Sequence, residues 1–161
     1  MANNPKALKA GDSAPDLGLQ DETGTVHRIG DYRGKWLLIY FYPKDNTPGC
    51  TVEACTLRDR FGDLRDAGAV VLGVSSDSAK SHQGFVAKHK LPFPLLVDPD
   101  GALAFRYGVG KDKLLGIPMP FSSRTSFLVG PDGTIAKLYA KVAPASHAAD
   151  VLSDIRALSG K

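Results

Sequence analysis

Hydrophobic positions along this chain gather into short runs and periodic stripes. Residues 35–42 (KWLLIYFY) form a nearly continuous apolar run rich in aromatics, the pattern of a strand buried on both faces, and Pro43 stops it. Residues 26–29 suggest a short earlier strand ending at Gly30. From residue 47 to 67 the period becomes helical. Val52, Leu57, Phe61 and Leu64 fall near one face, Arg58, Asp59, Asp63 and Arg65 on the other, and Gly68 supplies the stop. Residues 69–75 (AVVLGVS) read as a second buried strand. Residues 78–90 read as a helix that opens on Ser78 and carries Lys88, His89 and Lys90 in its last turn. Residues 93–97 give a short strand between prolines and residues 102–107 a short helix. Residues 125–129 give another strand, followed by the turn signal Pro131-Asp-Gly133 and a returning strand at 134–140. Residues 146–158 close the chain as an amphipathic helix with Val151, Leu152, Ile155 and Leu158 on one stripe.

The order is β-α-β-α-β-(α)-β-β-α. Strand–helix alternation followed by a hairpin and a final helix predicts an α/β protein with a mixed central sheet flanked by helices, the plan of a thioredoxin-like fold. The length of 161 residues fits one domain, with a core over about residues 9–158.

Composition narrows the function. A hydrophobic fraction of 43% excludes a disordered chain. The longest apolar run, residues 36–42, is too short to cross a bilayer, and the N-terminal stretch lacks the apolar region of a secretory signal, so a cytoplasmic location is the expectation. The net charge of +3 comes from basic residues interleaved with acids, as in RDRFGDLRD, without the cluster or stripe of a nucleic-acid binder.

The two cysteines lie together in residues 41–55, FYPKDNTPGCTVEAC. Two are too few for a disulfide scaffold, and a close pair in a reducing compartment points to catalysis, redox chemistry or metal binding. Thr47 suits a helix N-cap and Pro48 the first helical position, which puts Cys50 in the first turn. Unpaired backbone N–H groups and the helix dipole favour an anion there, and a thiolate is an anion. Cys55, five residues on, sits about 140° around a regular helix and about 7.5 Å along it, with Cα atoms about 8.7 Å apart. A disulfide needs about 7 Å or less, so the pair joins only when the first turns unwind. Two states follow: a folded one with Cys50 seated for attack, and a locally opened one with Cys50 bonded to Cys55. A thiolate that reacts first and meets a second thiol later suggests oxidation to sulfenic acid by a peroxide, whose departing oxygen needs donors.

Pro43-x-x-x-Thr47-x-x-Cys50 resembles the active-site pattern of the peroxiredoxins. The longer string 41–55 resembles the peroxiredoxin Q subfamily, also called bacterioferritin comigratory protein. Residues 123–128 (SRTSFL) resemble the segment carrying that family's active-site arginine, here Arg124, and residues 11–16 (GDSAPD) resemble its opening. The likeness covers about residues 9–158. It implies a thioredoxin-dependent peroxidase reducing hydrogen peroxide or alkyl hydroperoxides, with Cys50 as peroxidatic thiolate and Cys55 as resolving thiol. It also implies that Thr47 hydrogen-bonds thiolate and peroxide, that Arg124 favours the thiolate and polarises the peroxide, and that Pro43 shields the pocket. The N–H groups of Gly49 and Cys50 complete the site. The resemblance further implies no metal, no bound cofactor and a monomer, while the charge pattern and the short apolar runs argue against a nucleic-acid or membrane partner. Two departures are the apolar, proline-containing segment 111–121 (KDKLLGIPMPF), read as a folded-back loop, and Val129-Gly130 before the turn.

Blander readings stand beside these. Either cysteine could be a small buried hydrophobe. Periodicity alone would make Arg124 an exposed strand residue. Glu53 fits a helix first turn electrostatically. His27, His82, His89 and His147 lie in unrelated segments, none at ligand spacing from the cysteines, so zinc is not expected. Two other functions compete: a general thiol–disulfide oxidoreductase, against which the C-x4-C spacing argues, and a non-catalytic soft-metal binder, for which no third ligand is matched.

Overall fold

The structure, a computed structural model, describes residues 8–114 and 117–160. A short antiparallel pair, β1 (Leu19–Gln20) and β2 (Val26–His27), leads into a 3-10 turn at Ile29–Tyr32. The aromatic run becomes β3 (Trp36–Phe41), followed by α1 (Pro48–Asp59), α2 (Phe61–Asp66) and β4 (Ala69–Ser75). Then come α3 (Ala79–His89), β5 (Leu95–Val97) and α4 (Ala102–Arg106). Strands β6 (Lys111–Leu114) and β7 (Ile117–Ser122) precede β8 (Thr125–Val129), β9 (Ile135–Tyr139) and α5 (His147–Ser159).

The main sheet runs β5-β4-β3-β8-β9 with β3 at its centre, parallel to β4 and antiparallel to β8. This is the mixed sheet flanked by helices that the element order predicts. Alternate residues of β3 feed two cores, as a strand's period of two requires. Leu38 and Tyr40, with Tyr42 beyond the strand, pack against α1, α2, α3 and α5, while Leu37, Ile39 and Phe41 pack against α4 and the segment holding Ala14 and Leu17. Each large apolar side chain so buried contributes roughly 1.5–3 kcal/mol. Gly133 adopts φ 86 in the turn between β8 and β9, a backbone region glycine enters without strain.

Several expectations are corrected. The helix over 47–67 breaks at Arg60, whose φ of −99 and ψ of 5 separate α1 from α2. Val52, placed on the buried face, is 43% exposed, because the buried face of α1 is Cys50, Glu53, Ala54 and Leu57. Leu158 is 53% exposed, since the buried stripe of α5 ends at Ile155. The segment read as a folded-back loop contributes β6 and β7, a two-stranded antiparallel sheet pairing Lys111 with Ser122 and Leu114 with Ile117. Pro118 and Pro120 lie in β7, and a two-stranded sheet, being all edge, tolerates residues that lack an N–H.

Candidate active site

β3 delivers the chain to the site. Past Phe41, Tyr42 still bonds through its N–H to Val74 O at 3.1 Å, and Pro43 then turns the backbone away. Asn46 takes a left-handed φ of 64, tolerable for asparagine, and Thr47 opens α1 from an extended conformation with Pro48 at the first helical position. Thr51 N–H reaches Thr47 O at 2.9 Å. The N–H groups of Gly49 and Cys50 precede this bond and are therefore helix N-terminal donors.

Arg124 arrives from the other direction. Phe41 of β3 pairs with Thr125 of β8, so the residue before Thr125 lies level with the start of the reactive loop. From there Arg124 Nη1 reaches Cys50 Sγ at 3.3 Å and Glu53 Oε1 at 3.0 Å. One guanidinium nitrogen thus serves both the thiol and a carboxylate. Gly49 makes room for it, since a Cβ at that position would stand 2.8 Å from Arg124 Nη2. Cys50 is buried, Cys55 is half-buried, and both are free thiols on an unbroken α1.

The electrostatics are unbalanced. Glu53 is completely buried, and burial pushes its carboxyl up to about 7 even though Arg124 pulls the other way. Its Oε2 has no hydrogen-bond partner among the described residues, and neither does the buried hydroxyl of Tyr40. Burial holds the Tyr40 phenol well above its ordinary range, and the nearby charges of Glu53 and Cys50 add to this. Burial pulls the Arg124 guanidinium down, but Cys50 and Glu53 outweigh it and hold the cation above its usual value.

The sequence-derived residues meet this geometry unevenly. Cys50, Gly49 and Arg124 come together, and Arg124 is not the exposed strand residue that periodicity alone suggests. Pro43 is half-buried, one residue removed from the end of β3. Thr47 occupies the N-cap position but makes no capping bond; its hydroxyl donates to Lys44 O at 2.9 Å. Glu53 is more than a first-turn charge. Its spacing of three from Cys50 places both on one helix face, which was the available signal.

The histidines also need revision. His82 is buried, with Nδ1 at 2.7 Å from Asp45 Oδ2 and Nε2 at 3.0 Å from Leu96 O. Tyr42 Oη and Ser81 Oγ donate to the same Asp45 carboxylate at 2.6 and 2.8 Å, and Asp45 N–H donates to Asp77 Oδ2 at 2.8 Å. Asp45, Asp77 and His82 bring ligand-type atoms within 4.8 Å of one another, but Asp45 already serves three side-chain donors and the cluster works as a hydrogen-bonded latch on the reactive loop. His89, expected to be unrelated to the cysteines, places Nδ1 3.7 Å from Cys55 Sγ.

Comparison with known proteins identifies the family. The model of the AhpC/TSA family matches residues 10–138. Peroxiredoxin Bcp of Bacillus subtilis is 41% identical over 96% of this chain and 99% of its own length. Peroxiredoxin Bcp of Escherichia coli is 40% identical over 87% and 90%. Among solved structures, the bacterioferritin comigratory protein of Xanthomonas campestris, examined for alkyl peroxide reduction activity, superposes with a TM-score of 0.85 at 39% identity, covering 93% of this chain and 99% of its own. Peroxidoxin BcpB of Mycobacterium tuberculosis gives 0.84 at 33% identity, covering 94% and 98%.

Proposed function

The chain belongs to the AhpC/TSA family and is a thiol peroxidase of the peroxiredoxin Bcp type, and from that premise we propose that Cys50 reduces hydrogen peroxide and organic hydroperoxides. In this reading Cys55 resolves the product to an intramolecular disulfide and thioredoxin or a similar dithiol protein re-reduces it. The observation that carries the reading is the contact of Arg124 Nη1 with Cys50 Sγ at 3.3 Å, at the N-terminus of α1.

The Cys50 thiolate attacks one peroxide oxygen. A sulfur–oxygen bond forms, the oxygen–oxygen bond breaks, and the departing oxygen leaves as water or alcohol after taking a proton. Arg124 and the N–H groups of Gly49 and Cys50 offer donors to the thiolate and to the charge developing on oxygen. Thr47 has committed its proton to Lys44 O, so its hydroxyl oxygen offers lone pairs to a peroxide O–H. Pro43 and the buried face of α1 restrict water at the sulfur. The resulting sulfenic acid condenses with the Cys55 thiol once the first turn of α1 opens. The whole cycle is assigned to one domain, acting as a monomer in the cytoplasm. No helix among the described residues is long and apolar enough to cross a membrane.

The test is stoichiometric hydrogen peroxide added to the reduced protein, with thiol loss followed and turnover measured with a thioredoxin system. Rapid loss of two thiols and a Cys50–Cys55 disulfide are expected. Cys50→Ser abolishes turnover. Cys55→Ser still consumes one equivalent and retains a sulfenic acid. Slow, non-saturating thiol loss without a disulfide overturns the reading.

A further inference from the structure

Among the described residues, one side chain besides Arg124 with acid–base capacity lies against a cysteine sulfur. His89, the last residue of α3, presents Nδ1 to Cys55 Sγ at 3.7 Å. The residue is anchored at its ring and at its backbone. The Phe85 ring packs against it edge-on at 5.3 Å, and the His89 carbonyl accepts from Arg58 Nη1 at 2.8 Å. Arg58 follows Cys55 by three residues on α1, so this bond ties the Cys55 turn to the end of α3. Cys50 belongs instead to the first turn, the end of the helix that frays at least cost. Opening that turn therefore moves Cys50 while Cys55 keeps its neighbour.

We infer that His89 is the acid–base partner of Cys55 in the resolving step, its Nδ1 taking the thiol proton as Cys55 Sγ attacks the sulfenic acid on Cys50. The inference rests on Cys55 being the resolving thiol. The Cys55 sulfur supplies the electron pair, a sulfur–sulfur bond forms, and the sulfur–oxygen bond on Cys50 breaks. The Cys55 sulfur is oxidised to the disulfide level and the Cys50 sulfur is reduced to it. The departing hydroxide gains a proton and leaves as water, which balances the proton passed to His89, and no outside reductant is needed.

The chemistry fits an imidazole. Only the thiolate attacks, and an ordinary thiol near pKa 8.5 is about 3% ionised at pH 7, so a positioned base could raise the rate by up to about thirtyfold. Histidine exchanges its proton near neutral pH. The charged and titratable groups around the pair are Arg58 with its partner Asp59 from α1, Tyr40 from β3 on the Cys55 side, and Lys88 and Lys90 flanking His89 in its own chain.

The experiment uses the full chain and two substitutions. His89→Asn keeps a polar atom near the sulfur without a base, and His89→Phe keeps only packing. One equivalent of hydrogen peroxide is added to reduced protein, and sulfenic acid and disulfide are counted by mass after quenching, across pH 6 to 10. Sulfenic acid is expected at the parent rate. Disulfide is expected about tenfold more slowly at pH 7 in both variants, the deficit shrinking towards pH 10. A second measurement needs no peroxide: in a Cys50→Ser background, alkylation of Cys55 by iodoacetamide is expected to show the same deficit and convergence with His89→Asn. Equal alkylation and equal disulfide rates in parent and variants overturn the role of His89 alone. A parent protein that forms no Cys50–Cys55 disulfide overturns the resolving assignment and this inference with it.

Discussion

Two acid–base pairs flank the loop at 42–47, the buried Asp45 with His82 on one side and buried Glu53 with half-buried Arg124 on the other, and they are completed to different degrees. Asp45 accepts from Tyr42, Ser81 and His82, and both His82 nitrogens face acceptors. Glu53 has one partner, Arg124 Nη1, and an Oε2 with none among the described residues. The first pair is a finished joint that fixes the loop to α3 and β5. The second shares its cation with Cys50, so its balance changes with the charge on the sulfur. In the proposed cycle, oxidation of Cys50 to a neutral sulfenic acid would leave Glu53 as the only acidic group at Arg124 Nη1 among the described contacts.

The finished pair should carry the larger stability effect. Asp45→Asn leaves a buried imidazole facing a neutral amide, and removing one partner of a buried pair costs about 3–5 kcal/mol. Denaturant unfolding measures it. The pH dependence gives the sign. Burial lowers the His82 ionisation, but the Asp45 carboxylate and the Leu96 carbonyl raise it further, so the folded value lies above 6.5. The contribution is thus fully present below pH 6.5 and lost as pH rises through the folded value, and Asp45→Asn should abolish that loss. A variant as stable as the parent would dissolve the contrast between the pairs.

The unfinished pair should carry the larger rate effect. Arg124→Ala is expected to slow Cys50 oxidation by about 10²–10³-fold, the usual result of removing one donor from developing oxyanion charge. Stopped-flow mixing with hydrogen peroxide reads it directly. A loss confined to stability would assign Arg124 to packing.

Glu53→Gln sharpens the same contrast through pH. The folded carboxyl holds its proton up to about 7, whereas the unfolded one releases it near 4.5. The folded state therefore binds the extra proton between those values, and stability falls as pH rises from 4.5 to 7, by about 3 kcal/mol. Glutamine has no proton to release, so that decline should vanish from a plot of unfolding free energy against pH, leaving the His82 decline at higher pH.

The amino-acid sequence reveals these two regions unequally, for physical reasons. β4 and β8 are legible to the residue, and β3 to within one residue at each end, because each centres on a short β-branched or aromatic apolar run bounded by Gly, Pro or polar residues. Cys50 is legible from Thr47-Pro48 and the helix that follows. Glu53 shares a helix face with Cys50 by its spacing, but its burial is not legible, because a carboxylate reads as solvent-facing until its partner is known, and that partner lies 71 residues away in a position set by the register of β8 on β3. The same bias shifted the buried face of α1 towards Val52. The contact of His89 with Cys55 depends on how α3 packs on α1, which no local pattern encodes.

The smallest expected effect isolates the shared guanidinium from everything around it. Alanine at position 49 would raise local helix propensity by about 0.5–1 kcal/mol, so a purely structural reading expects Gly49→Ala to be neutral or stabilising. Its Cβ, however, would stand 2.8 Å from Arg124 Nη2, closer than atoms pack, with Arg124 Cζ at 3.5 Å and Pro144 Cγ at 3.9 Å in ordinary contact. The offended atom is the far end of a flexible side chain, so the fold can absorb the clash by moving Arg124 off the sulfur. Peroxide oxidation of Cys50 about tenfold slower, with an unfolding midpoint within a few degrees of the parent, is the expected pair of readings. A variant that reacts as fast as the parent would mean that the placement of Arg124 against Cys50 does not limit the reaction, and the Glu53–Arg124 pair would then differ from the Asp45–His82 pair only in its completeness, not in its chemistry.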